Sequence, residues 1–487
     1  MKHTHCLRLI IAAAALCTAT HIRAQSYVGV PVSGQLTFDK ASAAFGLVDL
    51  IASLGVITED GDVTGMVKPT ITVKGLPSGM RFDAKSGIIS GIPTKAGDFA
   101  FTATAKEGKA TASQVFGLHI DELPDEAVGS YVGYVNDSAG LAAIITLTAT
   151  KAGKLTAKAQ LASGTTQSFS AKSWDTVYSD DSGDYFDATL NGSKGTFFNV
   201  YVQADSAILS GNFAIDGEWR NIYGQKTEAR PTAAYTVALF PGEILAEGNA
   251  PSIPDGAGYL TISVSDKGVA KIAGKAADGT TSLSGSVAMM NLGAGKWEIP
   301  ALIKVHSGKG YFGGFLTINP DGTVGGSGWR WHNPGKTLGR DNFRIELFPI
   351  GSVYASATAT DFLDEKTFKA DEPNSAFFFG ATWLELPSVK VSVVNGKIKL
   401  PPGKAPTKKG GFDPVNPAVV TLTHTTSSGL IKGKFNTYRS DSGADYKKVS
   451  VSYAGVLLAD RGEAYGYYTI PRLDDKKLKA SSLVYIQ

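Results

Sequence analysis

After residue 24 no stretch repeats its apolar positions at a helical period; apolar and polar side chains instead alternate with a period of two almost everywhere. In Tyr259–Ser265, Leu260, Ile262 and Val264 share one face, while Thr261, Ser263 and Ser265 share the other. A slip of one residue would exchange the two faces, so this pattern commits the chain to half-buried strands in a defined register. Glycine-bearing turns separate them. Asp266-Lys267-Gly268 follows that strand, and Thr150–Gly153 parts Ile145/Leu147/Ala149 from Leu155/Ala157/Ala159. With 56 glycines in 487 residues, 43% hydrophobic and only 19% charged residues, the expected product is an all-β protein rich in turns, of three or four domains.

Residues 71–105 carry the most specific local pattern. Gly75-Leu76-Pro77-Ser78-Gly79 reads as a turn, Met80 and Phe82 alternate into a core, and Ser86-Gly87 forms a second turn. Gly91-Ile92-Pro93 then closes a short strand, because proline cannot donate to a ladder, and an alternating strand runs on from Ala96-Gly97-Asp98-Phe99. Over about residues 26–121 this resembles the immunoglobulin-like, cadherin-like family of bacterial surface and secreted proteins. The resemblance implies a β-sandwich that serves as spacer, stalk or adhesive module, and it says little about chemistry.

Past the linker Asp121–Glu126 the chain repeats itself. An offset of 115 positions sets Lys151-Ala152-Gly153 against Asp266-Lys267-Gly268, Gly164-Thr165 against Gly279-Thr280, and Lys194–Phe197 against Lys309–Phe312. The registration slips by seven residues before Val237–Pro241 meets Ile345–Pro349. Each copy offers seven or eight short strands with local turns, and exposed edges invite aggregation, so closed or nearly closed meanders are expected. The layout reads as a signal peptide at 1–24, an Ig-like sandwich at 25–121, β repeats at 127–242 and 243–352, and a divergent C-terminal β domain at 353–487. Gly256–Ile262 and Ala276–Thr280 also look like the glycine-rich β repeats of large secreted Gram-negative proteins.

The N-terminus sets the compartment. Lys2 and Arg8 precede an apolar run from Leu9 to Ala19, and Ile22-Arg23-Ala24 stands before Gln25, the layout of a cleavable secretory signal. The run is shorter than the roughly 20 residues of a membrane span. Leu16 stands where a lipoprotein signal wants a small residue, so no lipid anchor on Cys17 is expected. Cys6 and Cys17 are the only cysteines, which leaves a mature chain without disulfides or thiolates. The formal charge of +3 equals the positives of that segment, so no electrostatic case for nucleic acid or anionic lipid follows. Export to the periplasm, surface or exterior of a Gram-negative cell is the expected address.

Chemistry-bearing clusters are sparse. His119, His306, His332 and His424 are scattered without ligand-like partners, and neither H-E-x-x-H nor G-x-S-x-G occurs. Gly335-Lys336-Thr337 lacks the opening glycine of a phosphate loop, because Arg330 stands there. Asp180, Asp181 and Asp184, near Asp187, could wrap calcium, as could Ser440–Asp445 or Glu59–Asp62, although Asp, Ser and Gly are also what exposed turns use. Trp329 and Trp331 project to one strand face, with Arg330 and His332 on the other. The pair could stack a sugar ring while Arg330 or Asn333 supplies hydrogen bonds, or could fill a barrel interior. The first copy has Ala214 and Asp216 at these positions, so the pair is not needed to build the repeat.

Three functions fit these residues. A non-catalytic envelope or secreted protein for adhesion, binding a glycan or a surface protein, accounts for export, modularity and the missing catalytic signatures. A carbohydrate-active enzyme would need two of Asp187, Glu298, Asp341, Glu346 and Glu385 about 5–9 Å apart. An outer-membrane β-barrel would need strands of about 9–11 residues with an apolar outer band.

Overall fold

In the computed structural model the alternation resolves into antiparallel strands joined by tight turns and short 3-10 segments, with no α-helix among the described residues. The structure describes residues 27–35, 70–138, 140–180, 183–246, 253–335, 342–355, 360–373, 378, 382–384, 386–404, 415–440 and 446–487. The signal segment lies outside them. The chain divides into two compact units. One comprises the described residues up to Gly129 with Leu147–Ala157 and Phe169–Ile208; the other comprises Ser130–Thr146, Lys158–Ser168 and Leu209–Gln487.

In the first unit, six strands build two small sheets: β1 (Val32–Gln35), β2 (Thr70–Lys74), β3 (Met80–Asp83), β4 (Ile88–Gly91), β5 (Gly97–Glu107) and β6 (Ala110–Ile120). The orders are β1-β4-β3 and β2-β5-β6. Val32 and Ile89 from one sheet meet Phe101, Ala103, Phe116 and Leu118 from the other in a shared core, which makes the pair a sandwich. The Gly79 turn does what the sequence asks. Its φ of +92° suits glycine, and Met80 N–H donates to the Pro77 carbonyl at 3.1 Å.

Nine strands follow: β7 (Gly129–Asp137), β8 (Gly140–Ala149), β9 (Leu155–Leu161), β10 (Thr166–Ala171), β11 (Thr176–Asp180), β12 (Gly183–Asn191), β13 (Phe197–Gln203), β14 (Ile208–Ile215) and β15 (Glu218–Lys226). They are ordered β10-β9-β8-β7-β15-β14-β13-β12-β11, and Ser170 of β10 pairs with Asn191 of β12. That bridge closes eight of the strands into a barrel and leaves β11 outside the ring.

The next nine repeat this order strand for strand: β16 (Ala233–Ala246), β17 (Gly258–Val264), β18 (Val269–Lys275), β19 (Ser282–Ala288), β20 (Met290–Gly293), β21 (Lys296–Val305), β22 (Gly310–Ile318), β23 (Thr323–Pro334) and β24 (Asn342–Val353), arranged β19-β18-β17-β16-β24-β23-β22-β21-β20. The turns repeat too. Gly153 N–H donates to the Thr150 carbonyl, and Gly268 N–H to that of Ser265; Gly164 to Leu161, and Gly279 to Ala276. These are the same two turns displaced by the sequence offset. No bridge joins β19 to β21, so the second barrel is nearly closed.

Within the second unit a further eight-stranded sheet forms a half-barrel. Its long strands are Leu430–Ser440, Tyr446–Leu458, Glu463–Pro471 and Lys479–Ile486, over a core that includes Phe368, Phe435, Tyr453 and Tyr468. The strands of both barrels turn their apolar residues inward. In β9, Leu155, Ala157, Ala159 and Leu161 are buried while Thr156 and Lys158 are exposed. An outer-membrane barrel has the reverse pattern, with an apolar band outside.

Candidate functional site

Ile222 is the one fully buried aliphatic of β15, and it sets the phase of that strand. Trp219, Asn221 and Tyr223 therefore share the opposite, outward face. Trp219 and Tyr223 are each 52% exposed, uncommonly open for the two largest aromatic types. Asn221 Nδ2 donates to the Tyr223 hydroxyl at 3.2 Å and fixes the polar edge of that ring. Two-residue steps along a strand separate Trp219 from Tyr223 by about 13 Å.

The row continues across the neighbouring strands. Tyr223 stands directly opposite Tyr134 of β7, with ring centroids 6.0 Å apart, and Tyr134 meets Phe315 of β22 edge-on at 4.8 Å. Glu298 lies on the outward face of β21, opposite Thr317 of β22 and two register positions from the Pro300–Phe315 pair. Burial holds its carboxyl above the ordinary carboxylate range. Burial, followed by the charge of Glu298, pushes the Tyr134 phenol upward as well. The arrangement offers aromatic faces to stack against and polar groups, Asn221 and Glu298, to orient what stacks.

The sequence-derived candidates lie elsewhere. Trp329 and Trp331 are 0% and 1% exposed in the core of the second barrel. Trp331 stacks on Phe312 at 4.7 Å and meets Phe343 edge-on at 4.9 Å. Gly314 makes the room, because a Cβ there would come within 2.7 Å of the Trp329 ring. The two indoles do share a face, but it is the inner one, closed to a sugar. Arg330 projects outward, half-buried, with its guanidinium over Gly140. Asn333 is buried, and its Oδ1 accepts from the Gly335 N–H at 3.1 Å, which holds the turn.

Of the acidic trio, Asp184 Oδ2 accepts from the Tyr27 hydroxyl at 3.0 Å. Asp181 and the Asp180 side chain lie outside the described residues, as do Glu59–Asp62 and Asp441–Asp445. No group of three His, Cys, Asp or Glu side chains placed to hold a metal occurs among the described residues. Of the carboxylates, Asp187 accepts a hydrogen bond from Thr176, Glu346 stands opposite Arg330 in the register, and Asp341 and Glu385 lie outside the described residues. The histidines are placed variously. His119 bonds Asp98 at 2.6 Å and Asp121 at 3.1 Å, which raises its pKa, whereas burial lowers those of His306, His332 and His424.

The aromatic row was missed in the sequence because aromatics on a strand ordinarily mark its buried face. The available signal was Ile222, whose parity opposes that of Trp219 and Tyr223.

Residues 52–121 match the family described as "Putative Ig domain". No curated protein matches the chain in sequence. Among solved structures, the chain aligns with isotype 1 transferrin-binding protein B of serogroup B Neisseria meningitidis at 11% identity, covering 80% of this chain and 84% of that one, with a TM-score of 0.16. It aligns with a double mutant of the vaccine antigen transferrin-binding protein B of Haemophilus parasuis at 13% identity, covering 88% and 98%, again with a TM-score of 0.16. Likeness at that level carries no argument about function, and the family match is confined to residues 52–121.

Proposed function

We propose that this is an exported, non-catalytic binding protein of a Gram-negative cell surface or its surroundings, and that the outward row Trp219–Asn221–Tyr223, extended by Tyr134 and Phe315, takes a glycan. The half-exposure of Trp219 and Tyr223 on one strand face carries the reading. The Trp219 and Tyr223 rings, half in solvent, are suited to the apolar faces of sugar rings, and the Asn221 amide and Glu298 carboxyl to their hydroxyls. Export rests on the N-terminal segment and agrees with the Ig module, a type used as spacer or adhesive domain. The same reading keeps the domain layout drawn from the sequence, an Ig-like module at 25–121 followed by the repeats of 127–242 and 243–352, and keeps their kinship to glycine-rich secreted repeats.

The test is a glycan array probed with mature protein, residues 25–487, beside a Trp219→Ala/Tyr223→Ala variant. Binding to a defined set of glycans, weakened at least tenfold in the variant, is expected. Both side chains are half in solvent, so the variant should keep its thermal midpoint. Absence of glycan binding, or equal binding by the variant, overturns the assignment.

A further inference from the structure

The open seam of the second barrel, together with strands β8, β9 and β10 of the first, lines a cleft of about 340 Å³, within the usual range for small-molecule sites. Its lining belongs entirely to the second compact unit. The cause of the opening is local. At the repeat's offset, Ser170 and Asn191, the pair that bridges β10 to β12, fall on Gly285 and His306. His306 sits at φ +51° and begins a 3-10 turn, so β21 leaves the seam before it can pair with β19. Pro300 lacks the N–H to donate, and the Leu302 carbonyl is met by the Gln160 side-chain amide at 2.6 Å instead of by β19.

The parted strands expose barrel-core side chains to the outer face. Ile272, Val287, Ala301 and Ile303 of the second barrel, with Ile144 of β8, make an apolar, buried floor. The polar lining comprises Ser284 and Ser286 of β19, Lys304 of β21 and Lys158 of β9. Lys304 Nζ donates to Thr166 Oγ1 at 2.8 Å, which holds its ammonium at the mouth. Lys158 has no ion-pair or hydrogen-bond partner among the described residues. Among the described residues neither an aromatic ring nor a carboxylate lines the cleft. Two ammonium groups above an apolar floor, without a compensating acid, favour a ligand with a hydrocarbon body and an anionic head.

We infer that this cleft binds a small amphipathic organic anion, a carboxylate on an aliphatic chain, with the head between Lys158 and Lys304 and the chain against Ile272, Val287 and Ile303. The site is separate from the aromatic row, and each can fail without the other.

Titration calorimetry of mature protein with octanoate, octanol and octylammonium tests it. One equivalent of octanoate should bind, octanol at least tenfold more weakly and octylammonium not measurably. Lys158→Gln/Lys304→Gln, both at the solvent rim, should weaken octanoate at least tenfold, and added salt should weaken the native protein's binding in the same direction. Gly285→Leu should fill the cleft, since a Cβ at Gly285 already reaches Ile303 Cγ1 at 3.4 Å. Its circular dichroism would show that the barrel is intact. No heat with millimolar octanoate, equal affinity for octanol, or undiminished binding by the lysine variant overturns the proposal.

Discussion

Trp219 and Trp331 occupy strands of the same fold family in adjacent repeats, yet their environments are opposite. Trp331 is enclosed by Phe312 and Phe343, and its truncation leaves a ring-sized void beneath β23. Trp331→Ala should cost about 3–5 kcal/mol in urea denaturation, from lost transfer free energy plus the cavity. Trp219→Ala, at a half-solvated position, should stay within about 1 kcal/mol. If the two costs came out equal, the inward and outward placements described here would be wrong. Aromatic identity alone does not rank these tryptophans by exposure. Both lie on alternating strands, and only the phase set by neighbours such as Ile222 and Ile345 tells inside from outside.

Among the elements, β10 and β19 are the informative pair. They occupy the same place in the strand order, but β10 bridges to β12 while β19 ends its sheet. An unbridged edge leaves backbone N–H groups open to water, so amides on the seam side of β19, within Ser282–Ala288, should exchange hydrogen faster than those of β10. Native-state exchange read by mass spectrometry checks this, and equal protection of the two strands would mean that the seam is closed in solution. The strand order was legible in advance because one offset aligned turn with turn, and those turns recur with the same hydrogen bonds. The difference in closure was not, because it hangs on where a single residue, His306, leaves the extended conformation.

For the whole molecule, pH should act on the two compact units in opposite senses. His119 belongs to the first unit, and Asp98 and Asp121 raise its pKa, so its contribution is complete below pH 6.5 and fades as pH rises through the folded value. The ring is half-exposed, which limits that contribution to a few tenths of a kcal/mol. His306, His332 and His424 belong to the second unit, where burial lowers their pKa. The unfolded chain therefore takes up their protons first, and stability is lost as pH falls below 6.5. Calorimetry between pH 8 and 5.5 should show the thermal midpoint falling on acidification, and falling slightly more steeply in His119→Gln, which removes the small opposite trend. A midpoint that rises on acidification would contradict these placements.

Two-residue periodicity, glycine-bearing turns and a long internal offset pointed to the all-β class, the Ig-like module and a duplicated β unit, because these are local or repeating properties that a linear chain carries openly; that each copy builds its own barrel came from the tertiary structure. The charged-then-apolar N-terminus and the two cysteines beside it supplied the expectation of export in the same way. Which aromatic face meets solvent, and which barrel closes, needed the tertiary structure. Burial is a property of both sides of a strand at once, and closure depends on two strands distant in sequence arriving in register. The tryptophan pair most conspicuous in the sequence thus became core, while a quieter row on β15 and a parted seam at Gly285 came to hold the surfaces available for binding.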